Sequence, residues 1–295
     1  MAQTQMALDS LDFDATVALA AKVAPHVDIL EIGTPCIKHN GIELLKTLRA
    51  KFPNNKILVD LKTMDAGYYE AEPFYKAGAD ICTVLGTADI GTIKGVIDVA
   101  NKYGKQAQVD LINVTDKKAR TLEVAKLGAH IIGVHTGLDQ QAAGQTPFAD
   151  LAMVTGLKTG AKVSVAGGVK AATVRQVVDA GADIVVAGAA IYGAADPAAS
   201  ATEITKLAHG SAATSGGFKW LPWVIAIAVA LLALSLLKGG NKPAEEAVEA
   251  APAAVEQTVD DAAATADDAA AAAGEAVDAA KDAASDVVEE AKPAE

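Results

Sequence analysis

The strongest constraint on this chain is an alternation. Eight short β-branched runs fall at 6–9, 27–33, 56–63, 80–86, 106–112, 130–136, 162–168 and 183–189. Between them lie segments of helical period, such as 15–24, 41–51, 89–103, 117–127 and 171–180. Several helical segments stop in the same way: Ala77-Gly78-Ala79, Leu127-Gly128-Ala129 and Ala180-Gly181-Ala182 each put glycine at a helix end just before a run. Glycine tolerates the left-handed conformation that closes a helix. Ile184-Val-Val-Ala187 is a continuous apolar run, as expected of a parallel strand covered on both faces. Eight strand–helix units in about 210 residues predict an α/β fold, a compact (β/α)8 TIM barrel. An open doubly wound sheet is the alternative arrangement of the same pattern.

The barrel accounts for only part of the 295 residues, and charge shows where it stops. The net charge is −12, and residues 239–295 carry 15 Asp/Glu against 3 Lys, so the rest is neutral. An acidic balance argues against a nucleic-acid partner. Four pieces follow: a barrel domain at 1–210, a flexible linker at 211–217, a transmembrane helix at 218–238 and an acidic Ala/Glu/Asp-rich tail at 239–295. Trp220 to Leu237 is uncharged and, as a helix, roughly 27 Å long, near the hydrocarbon thickness of a bilayer. Trp220 and Trp223 sit at one end of it as interfacial anchors, and Lys219 and Lys238 bracket it. The tail favours helix but has little to bury; it reads as a solvated, partly helical segment, with a weak coiled coil as the alternative. The N-terminus lacks a basic start and an apolar run, so the barrel is expected to stay cytoplasmic, anchored at its C-terminal side. Two cysteines, Cys36 and Cys82, rule out a disulfide scaffold and fit a reducing compartment.

In such a barrel the chemistry lies where strands end. The polar residues there are Asp9, Glu31, Asp60 with Lys62, Asp110 and His135. Asp60 and Lys62 are two apart, which puts both on one side of a regular strand. Carboxylates and a lysine facing a barrel interior are costly unless they pair or bind something. A structural ion-pair network is the simplest alternative, and a lone His135 also suits a satisfied core histidine. The last two strands end in glycine, at Gly167-Gly168 and at Gly188-Ala189. Glycine lets the backbone approach an anion, and free N–H groups at a helix start bind phosphate.

These residues carry a family resemblance. Asp60-Leu-Lys-Thr-Met-Asp65 resembles the Asp-x-Lys-x-x-Asp motif of the orotidine-phosphate decarboxylase suprafamily. Together with Glu31-Ile-Gly-Thr-Pro-Cys-Ile-Lys38, Val134-His-Thr-Gly-Leu-Asp139 and the segments 164–169 and 187–197, the pattern is similar to the 3-hexulose-6-phosphate synthase branch. It runs across residues 1 to about 210 and leaves the apolar segment and tail outside. Many members of the wider group place Arg after the strand-eight glycine; Ala189 stands here, so backbone amides must do more of the phosphate binding.

The resemblance implies an aldehyde-lyase acting in formaldehyde fixation. Its substrates would be D-ribulose 5-phosphate and formaldehyde, its cofactor Mg²⁺ (or Mn²⁺), and its product D-arabino-hex-3-ulose 6-phosphate. It implies Glu31 and Asp60 as metal ligands, Lys62 as positive charge near a 1,2-enediolate, and His135 as acid/base. Asp110 and Asp9 would orient substrate hydroxyls, and Gly168, Gly188 and Ala189 would hold the phosphate. Asp65 would reach a neighbouring subunit's site in a homodimer. The nearest alternative is 3-keto-L-gulonate 6-phosphate decarboxylase. Those enzymes tend to carry Arg where Leu138 stands and Glu where Asp110 stands, which favours the synthase. A membrane-tethered, non-catalytic scaffold is the alternative of another class.

Overall fold

The computed structural model describes residues 1–210. The linker, membrane helix and acidic tail expected at 211–217, 218–238 and 239–295 lie outside the described residues. Among the described residues no helix is long and apolar enough to cross a membrane.

The chain runs β1 (Gln3–Leu8), α1 (Phe13–Val23), β2 (Ile29–Ile32), α2 (Thr34–Lys51), β3 (Lys56–Thr63) and α3 (Gly67–Ala77). It continues β4 (Ile81–Leu85), α4 (Ile90–Lys102), β5 (Gln106–Asp110), α5 (Lys117–Lys126), β6 (Ile131–His135), α6 (Leu138–Ala142) and α7 (Phe148–Gly156). It ends β7 (Lys162–Ala166), α8 (Ala171–Asp179), β8 (Ile184–Ala187), α9 (Ala189–Tyr192) and α10 (Pro197–His209). All eight strands are parallel and close in sequence order, β8 pairing with β1 through Gln5 and Val186. Closure excludes the open sheet.

Alternation along each strand divides the core in two. Outward side chains such as Met6, Leu30, Val59, Cys82, Val109, Ile132 and Val185 pack under the helices. The helices answer with apolar stripes: α4 buries Ile93, Val96, Ile97 and Ala100, and Asp89 caps it by accepting from the Gly91 N–H at 2.7 Å. Inward, Ile29, Leu58, Ile81, Ile131 and Ile184 plug the N-terminal end of the barrel. Each such side chain contributes roughly 1.5–3 kcal/mol by leaving water. One inward step toward the C-terminal mouth the character changes. The inward positions there include Gln5, Glu31, Gln108, Gly133 and Ser164, all lining a cavity.

The barrel's lower rim is tied by charge. Arg49 on α2 pairs with Asp80 and donates to the Gly78 carbonyl, and Lys105 reaches the other Asp80 oxygen at 2.6 Å. Burial alone would raise the Asp80 pKa; Lys105, the Ile57 N–H and Arg49 outweigh it and hold the carboxyl below its usual range.

Strand β1 starts at Gln3 rather than Met6 and ends at Leu8, so Asp9 lies just beyond the strand. Helix α2 starts at Thr34 rather than Gly41, with Pro35 in its first turn; Gly41 is a kink inside it, at φ 65°. Strand β3 is not regular. Its register with β4 shifts between Val59 and Thr63, and Lys62 takes φ 45°. The meeting of Asp60 and Lys62 therefore comes from a left-handed residue in an irregular strand end, not from plain alternation.

Candidate active site

A cavity of about 680 Å³ opens at the C-terminal mouth. Its walls include Asp9, Glu31, Asp60, Lys62, Asp110 and His135, with Gly168, Gly188 and Ala189 at one side. All of the expected site residues except Asp65 thus face one space.

Asp110 is the hub. Its Oδ2 accepts from Lys62 Nζ at 2.8 Å and from His135 Nδ1 at 2.9 Å, and its Oδ1 accepts from the Ile112 N–H at 2.9 Å. Burial would raise its pKa, but the His135 hydrogen bond and charge, with Lys62, pull it down to about 2. His135 is raised: burial acts to lower it, and the Asp110 hydrogen bond and charge outweigh burial. A carboxylate partner on Nδ1 favours the tautomer with its proton there, which leaves Nε2 as the basic nitrogen of a residue that lines the cavity.

Lys62 also reaches Asp60 Oδ2 at 2.8 Å. Burial would lower its pKa, but Asp110 and Asp60 raise it above the ordinary lysine value, so it stays an ammonium. Asp60 is completed by two hydroxyls: Thr34 donates to Oδ2 at 2.7 Å and Thr83 to Oδ1 at 2.6 Å. Glu31 is different. Its Oε2 accepts from Gln5 Nε2 at 2.7 Å, and burial together with the nearby Asp60 charge pushes its pKa up to about 8. Asp9 is raised for the same two reasons, burial first and then Asp60.

Three carboxyls, Glu31, Asp60 and Asp9, therefore crowd a space in which Lys62 already serves two acids. Added positive charge would relieve that crowding. Among the described residues no cluster of three or more His, Cys, Asp or Glu comes close enough to enclose a metal by itself. Mg²⁺ needs no such cage: it takes hard oxygen ligands, one or two carboxylates, and fills its shell with water and substrate. The donor set of Glu31 and Asp60 fits that ion.

The wall formed by the ends of the last two strands suits an anion. Gly167 takes φ 109°, and a Cβ there would fall 2.4 Å from the Thr136 carbonyl, so no larger residue fits. Helix α9 begins directly after Gly188, and its first amides, at Ala189 and Ala190, have no intrahelical acceptor. Both residues line the cavity. Lys170, just past the Gly167-Gly168 turn, adds a cationic side chain to this wall.

Asp65 does not reach the cavity. It is exposed, and its Oδ1 accepts from the Ala66 N–H at 2.7 Å. Beside it Met64, Tyr68 and Tyr69 are also exposed. Sequence reasoning missed Gln5, Thr34, Thr83, Gln108, Ser164 and Lys170. Only Lys170 left a trace, as a cation following two glycines.

The chain matches the family described as Orotidine 5'-phosphate decarboxylase / HUMPS over residues 2–204. It is 87% identical over 208 residues to the 3-hexulose-6-phosphate synthase of Methylomonas aminofaciens, covering 70% of this chain and 100% of that one. It is 48% identical over 202 residues to the 3-hexulose-6-phosphate synthase of Mycobacterium gastri, covering 68% and 96%. A crystal structure of a 3-hexulose-6-phosphate synthase superposes with a TM-score of 0.66 at 46% identity, over 70% of this chain and 99% of that one. The chain belongs to the Orotidine 5'-phosphate decarboxylase / HUMPS family, within its 3-hexulose-6-phosphate synthase branch.

Proposed function

We propose that this chain is a Mg²⁺-dependent 3-hexulose-6-phosphate synthase, condensing formaldehyde with D-ribulose 5-phosphate to give D-arabino-hex-3-ulose 6-phosphate. The observation that carries the reading is the convergence, in one cavity, of a carboxylate-held histidine, a two-carboxylate oxygen donor set and a glycine-lined anion wall. The first two suit removal of a weakly acidic C–H next to a ketone. The third suits the substrate's phosphate.

Glu31 and Asp60 would hold Mg²⁺, or Mn²⁺ in its place, which when bound supplies Lewis-acid polarisation of the ketone and so acidifies the neighbouring C1–H. The chain's own residues do the rest. His135, held by Asp110, accepts the C1 proton at Nε2. The Lys62 ammonium, fixed between Asp60 and Asp110, stabilises charge on the enediolate oxygens. Asp110 and Asp9 orient substrate hydroxyls. The amides at Gly168, Gly188 and Ala189 hold the phosphate, and Lys170 supplies the cation that Ala189 does not. C1 then attacks formaldehyde, and the proton on His135 passes to the new alkoxide.

A second copy of the chain would cover Met64, Tyr68 and Tyr69 and bring Asp65 to the partner's cavity; their exposure beside Asp65 supports a homodimer with shared sites. Anchoring of a cytoplasmic barrel through 218–238 rests on the uncharged, Trp- and Lys-flanked run alone. Retention of the full chain in salt-washed membranes tests it; full release refutes it.

The deciding assay mixes full-length protein, ribulose 5-phosphate, formaldehyde and Mg²⁺ and follows the hexulose phosphate by NMR. The expected result is product that requires all four and disappears on chelation. Faster decarboxylation of 3-keto-L-gulonate 6-phosphate than formaldehyde condensation would overturn the assignment.

A further inference from the structure

Below the catalytic groups, barrel packing favours branched aliphatic side chains. This chain instead places Gln108 and Ser164 there, lining the cavity one inward step beneath Asp110 and Ala166. Both are buried, at 8% and 1% exposure. The Oε1 of Gln108 has no hydrogen-bond partner. A buried amide with an unmet end costs stability that a leucine of similar size would not. Between the two side chains lies Gly133, one inward step beneath His135. A Cβ at Gly133 would stand 3.0 Å from Gln108 Nε2 and 3.4 Å from Ser164 Oγ. A side chain there would press on both groups; with glycine in place, the amide and the hydroxyl wall a hollow at the cavity floor, under the proton-transfer residue.

We infer that this hollow is the subsite for the one-carbon electrophile, with the Gln108 amide and the Ser164 hydroxyl as donors to the formaldehyde oxygen. The inference rests on the synthase reading and deepens it. In that reading the sugar phosphate is held from the rim, by the glycine wall and the carboxylates. Formaldehyde must then meet C1 from a face not filled by sugar, and the cavity floor offers such a face. The chemistry also asks for donors there. The enediolate C1=C2 electron pair forms the bond to the formaldehyde carbon, and the carbonyl π pair moves onto oxygen. That oxygen becomes an alkoxide until the proton that His135 took from C1 reaches it, leaving a hydroxymethyl group. Fixed donors aimed at developing negative charge stabilise that step. A glutamine amide can present either end to the hollow, nitrogen to the alkoxide and oxygen to the finished hydroxyl.

The two half-reactions separate this role from a structural one. Full-length protein with Mg²⁺ is given ribulose 5-phosphate in D2O without formaldehyde, and C1 hydrogen–deuterium exchange is read by NMR. Condensation is then measured with formaldehyde varied. Gln108→Leu and Ser164→Ala are expected to retain exchange within about threefold while the KM for formaldehyde rises about tenfold or more and that for ribulose 5-phosphate moves by less than about threefold. Gly133→Ala, which crowds the hollow without removing a donor, is expected to behave the same way. An unchanged formaldehyde KM in both donor variants overturns the inference, as does parallel loss of exchange and condensation in all three. An unsubstituted chain that neither exchanges nor condenses overturns the synthase reading itself.

Discussion

Replacing Asp110 by Asn keeps the shape of the hub and removes its charge. Two effects can be worked from the structure. Asp110 is buried, at 3% exposure, and its carboxyl sits at about 2 against an ordinary 3.8. A gap of somewhat under two units, at about 1.4 kcal/mol per unit, is worth a little over 2 kcal/mol. The folded-state pKa is depressed, so this stabilisation is present above the unfolded pKa near 4 and is lost as pH falls from there toward 2. At neutral pH the Asn variant should be about 2 kcal/mol less stable, a drop in Tm of roughly 4–8 °C for a domain of this size. It should also lack the wild-type loss of stability between pH 4 and 2. The second effect is kinetic. Asp110 raises the His135 pKa, and His135 must be neutral to take a proton, so its titration sets the acidic limb of kcat/KM. Without the carboxylate the limb should move to lower pH, and kcat should fall on the order of 100-fold as the imidazolium and Lys62 lose their counter-charge. Urea melts across pH and a pH–rate profile at saturating Mg²⁺ read both. An acidic limb that stays put, or moves upward, would refute the assignment of His135 as base controlled by Asp110.

Other perturbations separate the remaining roles. His135→Ala should abolish C1 exchange, by on the order of 100-fold or more, while calorimetry still detects binding of ribulose 5-phosphate; retained exchange would place the base elsewhere. Glu31, with its carboxyl at about 8, must lose its proton to ligate, so Mg²⁺ binding near pH 7 should release protons and tighten as pH rises through 8. Titrations in buffers of different ionisation enthalpy should show that release, and Glu31→Gln should eliminate it; the same proton count in both chains would exclude Glu31 as a ligand. Lys170→Ala should raise the KM for ribulose 5-phosphate on the order of tenfold and leave that for formaldehyde nearly alone. An unaltered KM would leave the phosphate to the backbone amides.

Charge inside an apolar run is legible in a sequence because burial makes it improbable without a purpose. Glu31 between Leu30 and Ile32, Asp110 after Val109 and His135 after Val134 announce themselves this way, and the barrel rule places them at one mouth. The barrel itself is legible for a related reason: eight runs bounded by turn residues leave few closed arrangements. Neutral polar residues carry no such signal. Thr34, Thr83, Gln5 and Gln108 look like ordinary helix-start or edge-strand residues, and the glutamines even hide where strands begin, as β1 shows by starting at Gln3. Only closure of the barrel turns Gln5 toward Glu31 and leaves Gln108 with an unpartnered oxygen. The irregular end of β3 was equally invisible, since the left-handed Lys62 breaks the two-residue period from which its direction was read. Charge thus marks the residues proposed to ionise a substrate, whereas the neutral groups around them emerge from register and packing.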